Sequence, residues 1–195
     1  MRRRRILLPA IALFSALSLG AIPTFASLFV VFPKATELVS PDGRYAVRNV
    51  ETTNSASEFV GTFHSLWLYE LATSRSRKLC DYVGIASAAW SSNDVLVVTQ
   101  YVGKRTSRAL VFPAIAAQDT IMLDSAALIR LLPPELRPPL RENDHVFVEG
   151  SRVEHDTLYL TVWGYGQHAP NGFRYRCEYS LREGSLSCIE GYGVQ

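Results

Sequence analysis

Alternation of apolar and polar side chains with a period of two is the feature that most constrains this fold. It is cleanest over residues 173–181, where every odd position is apolar and every even one polar. A strand with one buried face has this pattern. Shorter apolar or β-branched runs occur at 66–71, 95–101 and 157–163, separated by turn-forming pairs such as Asn171-Gly172. We therefore predict an all-β domain of antiparallel β-meanders.

One short segment has the signals of a helix instead. Asp124 or Ser125 can cap a run near residues 125–132, which two prolines then end. Trp67 and Trp90 fall in strand-like runs, and we expect both side chains to face the core.

The N-terminus carries four arginines, Arg2–Arg5, followed by a charge-free run over residues 6–32. This is the pattern of a signal peptide. A helix of that length would also rise ~40 Å and could span a bilayer as an anchor. Both readings place the rest of the chain outside the cytoplasm, in the periplasm or secreted, and tethered to the inner membrane if uncleaved. We divide the chain into a leader, 1–32, and an exported domain, 33–195.

Small side chains at Thr24 and Ala26 fit signal peptidase cleavage before Ser27. Arginines outnumber lysines 17 to 3, which indicates a GC-rich bacterial genome. The formal charge of +2 arises from the leader, because residues 33–195 hold 16 basic and 18 acidic side chains. A nucleic-acid-binding domain usually has a basic face, so no nucleic-acid partner is expected.

A repeat-like turn opens the domain. Residues 40–43 read Ser-Pro-Asp-Gly and lead into an apolar strand, which resembles the propeller repeats of the Tol-system translocation protein and of prolyl oligopeptidase relatives. Residues 66–71 resemble the next strand of such a repeat. Residues 89–98 resemble a second opening, with Ser92 in place of the proline and no glycine, and 154–160 are a fainter third. The resemblance implies propeller-blade-like meanders, which usually act as recognition platforms.

The length of the domain argues against a closed propeller. Such a ring has four to eight blades of about 40 residues or more, and the chain after the leader holds about three. We expect a sandwich or an open barrel of three meanders, behind an N-terminal apolar helix.

Three cysteines in an exported domain favour a disulfide. Cys177 and Cys188 flank a turn at residues 182–185 and can oppose each other in a hairpin. A bridge closing this loop would stabilise the fold by roughly 2–3 kcal/mol. Cys80 is then expected to be a buried free thiol, with a bridge to one of the other two as the alternative.

The residues best suited to chemistry are Asp144, His145, His155 and Asp156. Their spacing matches no zinc motif, and the sequence has neither a Gly-x-Ser-x-Gly elbow nor a glycine-rich phosphate loop. We interpret them as turn residues and predict no metal, cofactor or catalytic residue. The alternative is a small extracytoplasmic hydrolase or metal-binding protein that uses this region.

Two glycine-flanked aromatic loops remain as binding candidates. One follows a strand and contains Tyr165 and His168, and the other contains Tyr192. Loops on a rigid sheet often bind ligands, and tyrosine offers contact area at low entropic cost, although the same tyrosines could cap the core. The sequence favours an exported or membrane-anchored, non-enzymatic binding module of the bacterial envelope, with an envelope protein or another extracytoplasmic molecule as its partner.

Overall fold

The computed structural model describes residues 27–53, 62–102, 104–112, 120–141, 144–167 and 169–190. These residues form fourteen strands, one α-helix and one turn of 3₁₀ helix, Pro134–Leu136. The strands are β1 Ser27–Leu28, β2 Val30–Phe32, β3 Glu37–Val39, β4 Tyr45–Thr53, β5 Thr62–Glu70, β6 Ser76–Tyr82, β7 Ala86–Trp90, β8 Leu96–Val102, β9 Thr106–Phe112, β10 Ile121–Asp124, β11 His145–Glu154, β12 Thr157–Gly166, β13 Ala169–Ser180 and β14 Leu186–Glu190, and the helix is α1 Ser125–Leu131.

The strands form three consecutive antiparallel meanders of four strands each. The first meander, β3–β6, is a sheet of its own. The second, β7–β10, and the third, β11–β14, belong to one ten-stranded sheet, joined by a parallel pairing of Thr106 in β9 with Val146 in β11. The predicted all-β meander architecture with one short helix is confirmed, although the parallel pairing makes the ten-stranded sheet mixed rather than purely antiparallel. The described strands do not close into a barrel.

The second meander is buried on both faces, which explains the continuous apolar run at its centre. One face packs on the first meander in a cluster that includes Leu66, Leu96 and Val98, each fully buried. The opposite face, with Val97, packs against α1 and the third meander in a larger cluster. Each fully buried Leu or Val side chain contributes about 1.5–3 kcal/mol through the hydrophobic effect.

Trp90 faces the core as predicted and is only 2% exposed. Trp67 does not, and the prediction for it was wrong. Its neighbours Leu66 and Leu68 point into the core, so the two-residue period of β5 turns Trp67 to the outer face. There its indole Nε1 donates to Ser65 Oγ at 2.9 Å.

Helix α1 begins as the sequence predicts. Asp124 is the N-cap, and its carboxylate accepts a hydrogen bond from Ala127 N at 2.6 Å. Leu128 and Leu132 are fully buried in the larger core cluster, so the helix covers one side of the curved sheet.

Residues 27–32 differ from the predicted apolar helix, because they form strands. β1 pairs with the end of β11, and β2 pairs with β7, so this segment joins the second and third meanders. Phe32 is fully buried, and the Phe29 ring occupies the space that a side chain at Gly150 would need. The β-domain therefore includes residues 27–32, and the rest of the predicted leader lies outside the described residues. No helix within the described ranges is long and apolar enough to cross a membrane.

The first turns of the first and second meanders share a hydrogen-bond pattern. Ser40 Oγ accepts a hydrogen bond from Tyr45 N at 2.9 Å, and Ser91 Oγ accepts one from Val95 N at 3.0 Å. In both turns the serine backbone N–H also donates to the carbonyl of that same later residue. The sequence similarity between these two segments therefore corresponds to a repeated pattern of serine hydrogen bonds, in turns that differ in length by one residue.

Side chains connect the first turns of all three meanders at one end of the molecule, which we call the turn end. Arg44 Nη2 lies 3.2 Å from Asp94 Oδ2, between the first and second meanders. Asn93 Nδ2 donates to Asp156 Oδ1 at 2.9 Å, between the second and third. These polar contacts align the meanders, and the opposite end of the strands presents the clefts described below.

Candidate functional site

The structure does not bring the four candidate acid–base residues together. His145 begins β11, and His155 lies in the turn after β11. The ten residues of this strand, at about 3.3 Å each, place the two imidazoles on the order of 30 Å apart. Within the described part of the chain, no group of three or more His, Cys, Asp or Glu side chains could hold a metal ion.

Asp144 has a structural environment. It is buried, and its two carboxylate oxygens accept hydrogen bonds from Arg141 N and Gln167 N, each at 3.0 Å. A Cβ at Gly166 would overlap this carboxylate. Asp144 therefore fixes the loop that follows β12 and requires a glycine beside it.

His155 and Asp156 form the turn between β11 and β12. His155 is exposed and has a left-handed backbone conformation, with φ of 49°. Asp156 is engaged twice, since its side chain accepts from Asn93 and its carbonyl accepts from Leu181 N at 2.7 Å. Both residues have the contacts of turn-forming residues.

Tyr165 belongs to an aromatic cluster on the outer face of the third meander. The register pairs it with His145, and the two rings stack with centroids 4.6 Å apart and planes 9° apart. One pair further along, Phe147 and Trp163 have centroids 4.4 Å apart. One face of each β12 ring is thus covered by a ring from β11.

The opposite ring faces border a cleft of about 500 Å³. The neighbouring strand β13 contributes two residues next to these rings. Arg174 is the register partner of Trp163, and Gly172 lies beside Tyr165. Gly172 has φ of 70°, a conformation that favours glycine, and it adds no side chain to the lining of the cleft. We call this site the aromatic cleft and define it by Trp163, Tyr165, Gly172, Arg174 and Glu149, which all line it.

The aromatic cleft contains one acidic and one basic side chain. Glu149 accepts a hydrogen bond from the Tyr101 hydroxyl at 3.2 Å. Burial raises the pKa of Tyr101, and the Glu149 carboxylate raises it further, so the phenol stays a donor. Arg174 is exposed and makes no hydrogen bond, ion pair or ring contact with another described residue. Its guanidinium is therefore available to a ligand.

Of the three residues predicted to bind a ligand, Tyr165 is described by the structure and lies at the aromatic cleft. Its side chain is 46% exposed. His168 and Tyr192 lie outside the described residues. Sequence reasoning missed Trp163, Glu149 and Arg174. A signal for Trp163 was present, because inward Leu and Val alternate along β12 with outward aromatic residues.

The cysteines have the predicted states. Cys177 and Cys188 are directly paired across β13 and β14 and form a disulfide. Cys80 is free and 8% exposed. Burial raises the pKa of its thiol to about 12, and since the thiolate is the nucleophile, Cys80 is unsuited to covalent catalysis.

A second cleft, of about 540 Å³, lies between the first and second meanders. Its cationic residue, Arg108, is already engaged. The side-chain amide of the buried Gln100 can be oriented so that both of its polar atoms are hydrogen-bonded. In that orientation the amide oxygen of Gln100 accepts from Arg108 Nε at 2.7 Å, and the amide nitrogen of Gln100 donates to the Asp81 carbonyl at 3.0 Å. The cation of the second cleft is thus already hydrogen-bonded within the protein.

No family model matches this chain, nor does any curated protein or solved structure. The function of the protein must therefore be inferred from the geometry of the site.

Proposed function

We propose that this protein is an exported, non-enzymatic binding module of the bacterial envelope that takes its ligand in the aromatic cleft. The observation that carries this proposal is the pair of ring faces, on Trp163 and Tyr165, that open onto the cleft. Aromatic faces with a few polar groups around them are typical of ligand sites. The three meanders, which we regard as propeller-blade-like, serve as the rigid support.

The contacts of the candidate catalytic residues favour binding over catalysis. Asp144 and Asp156 are both engaged in hydrogen bonds that fix loops. Cys80 is buried and held as the neutral thiol by its raised pKa. In contrast, the groups that line the aromatic cleft are positioned for contact with a ligand.

Two features support export. The arginine-rich apolar leader is typical of secreted chains, and the Cys177–Cys188 disulfide is of the kind that persists in oxidising compartments. We propose cleavage behind Ala26 because the small side chains at Thr24 and Ala26 fit signal peptidase. Cleavage there would keep every described strand in the mature protein.

Co-sedimentation with bacterial envelope fragments tests the proposal. The purified full chain should sediment with the fragments, and Trp163→Ala should weaken this association by about tenfold, as expected for loss of an aromatic anchor. Trp67→Ala is the matched control, because Trp67 also lies on an outer sheet face but far from the cleft in sequence and in a different meander. Equal sedimentation of all three proteins, or of none, would contradict the proposed function.

A further inference from the structure

We infer that the aromatic cleft binds the pyranose ring of a neutral glycan, an inference that rests on the proposed binding function. The Trp163 and Tyr165 rings lie 6.3 Å apart with planes 22° apart. Since they are i and i+2 on one strand, their free faces point the same way and form a continuous platform. Phe147 and His145 support the other side of these rings.

This platform suits one face of a sugar ring. An aromatic face carries the negative part of the ring quadrupole. The axial C–H groups of a pyranose present a weakly positive, apolar face that can lie against it, while the hydroxyl groups point outward around the rim. A ligand of this kind needs aromatic faces in the middle of the site and polar groups at its edges, as the aromatic cleft provides.

The two charges at the edges suit a neutral ligand with both donor and acceptor groups. Glu149 and Arg174 both line the cleft, one as an acceptor and the other as a donor. Glu149 attracts a cation that Arg174 repels, and Arg174 attracts an anion that Glu149 repels, so the two charges together favour neither sign. Hydroxyl groups donate to a carboxylate and accept from a guanidinium, so an uncharged sugar satisfies both residues at once.

The cleft is also large enough for a sugar ring. Gly172 lines it without a side chain, and its volume of about 500 Å³ is within the range of small-molecule sites. A Cβ at position 172 would lie 3.1 Å from the Gly164 carbonyl oxygen and 3.9 Å from Tyr165 Cβ, and the φ of 70° also disfavours a larger residue there.

Isothermal titration of the full chain with four neutral tetrasaccharides tests this inference: cellotetraose, maltotetraose, mannotetraose and chitotetraose. We expect saturable binding of at least one, accompanied by a change in tryptophan emission. Trp163→Ala and Tyr165→Ala should each weaken binding by about tenfold, and Glu149→Gln and Arg174→Gln by about fivefold, while Trp67→Ala should bind as the wild type does. Thermal unfolding of each variant verifies that it remains folded.

Three outcomes would overturn the inference. The first is that the folded protein binds none of the neutral tetrasaccharides. The second is binding that Trp163→Ala and Tyr165→Ala do not change. The third is tighter binding of tetragalacturonate or of fully deacetylated chitotetraose, which carry charge. If the first outcome occurs while Trp163→Ala still reduces co-sedimentation with envelope fragments, the glycan inference fails and the proposed binding function stands.

Discussion

Asp42 illustrates how single residues set the geometry of the turn end. Its carboxylate accepts hydrogen bonds from Ser40 Oγ at 2.7 Å and from Arg44 N at 2.9 Å, and it is paired with the Arg44 guanidinium. These contacts, of which the Ser40 hydroxyl contributes most, lower the pKa of Asp42 from 3.8 to about 2.

Ser40→Ala should raise the pKa of Asp42 towards its ordinary value, which an NMR titration of the side-chain carboxyl would measure. The ionised Asp42 stabilises the fold fully above pH 3.8, and this contribution is lost as the pH falls through about 2. Ser91→Ala is the matched control, because Ser91 occupies the same place in the second meander but does not contact Asp42. An Asp42 pKa unchanged by Ser40→Ala would show that the hydroxyl is not its main determinant.

Individual turn residues also show how far sequence reasoning reaches. Gly43 has φ of 71°, as the Ser-Pro-Asp-Gly resemblance implies. The second turn has no glycine, and Asp94 takes the left-handed position there with φ of 59°, which aspartate tolerates better than most residues. The contact between Asp144 and Gly166 was beyond sequence reasoning, because it depends on how β11 and β12 align at their far ends.

Among the elements, the β13–β14 hairpin is the one whose structure follows most directly from sequence. Its polar and apolar positions alternate, its turn residue Gly184 has φ of 68°, and the two cysteines face each other in register. β5 was harder to interpret. It is apolar on both faces over Leu66 to Tyr69, so the pattern alone did not tell which side faces the core.

Replacing both Cys177 and Cys188 with alanine should lower the free energy of unfolding by roughly 2–3 kcal/mol, because the bridge restricts the unfolded chain. Urea unfolding followed by tryptophan fluorescence measures the change. Reduction of the disulfide in the wild-type protein should lower the free energy of unfolding by a similar amount. This experiment controls for the change in packing that alanine introduces at Cys177. A difference below about 0.5 kcal/mol in both experiments would contradict this prediction.

At the scale of the whole molecule, the folded unit starts earlier than residue 33. The predicted boundary depended on the absence of charge up to residue 32, but charge does not distinguish an apolar leader from apolar strands. β1 and β2 complete the pairing between the second and third meanders, and Phe32 is fully buried.

A chain that begins at Ser27 should fold, whereas one that begins at Pro33 should be destabilised severely. Loss of a buried Phe side chain such as Phe32 lowers the free energy of unfolding by about 3–5 kcal/mol. The total free energy of unfolding of a typical domain is only about 5–15 kcal/mol. Urea unfolding of the two proteins, followed by tryptophan fluorescence, tests this. Equal unfolding midpoints would contradict the role assigned to β1 and β2.

The aromatic cleft was only partly predictable from the sequence. Tyr165 stood out because glycines flank it, but its partners come from three strands. Trp163 shares β12 with it, Glu149 comes from β11 and Arg174 from β13. Their convergence depends on the strand register, which a two-residue alternation determines only to within shifts of two residues.

The pairing of β1 also determines when this chain can finish folding. β1 lies against Arg152 and Val153, which are synthesised more than a hundred residues after it. Closing so long a loop is slow, and it cannot begin until the partner strand has emerged. The first segment of the domain to leave the ribosome, or to pass through a membrane pore, must therefore wait for most of the chain to follow. If the chain is exported as proposed, β1 would remain unpaired during most of its passage through the membrane.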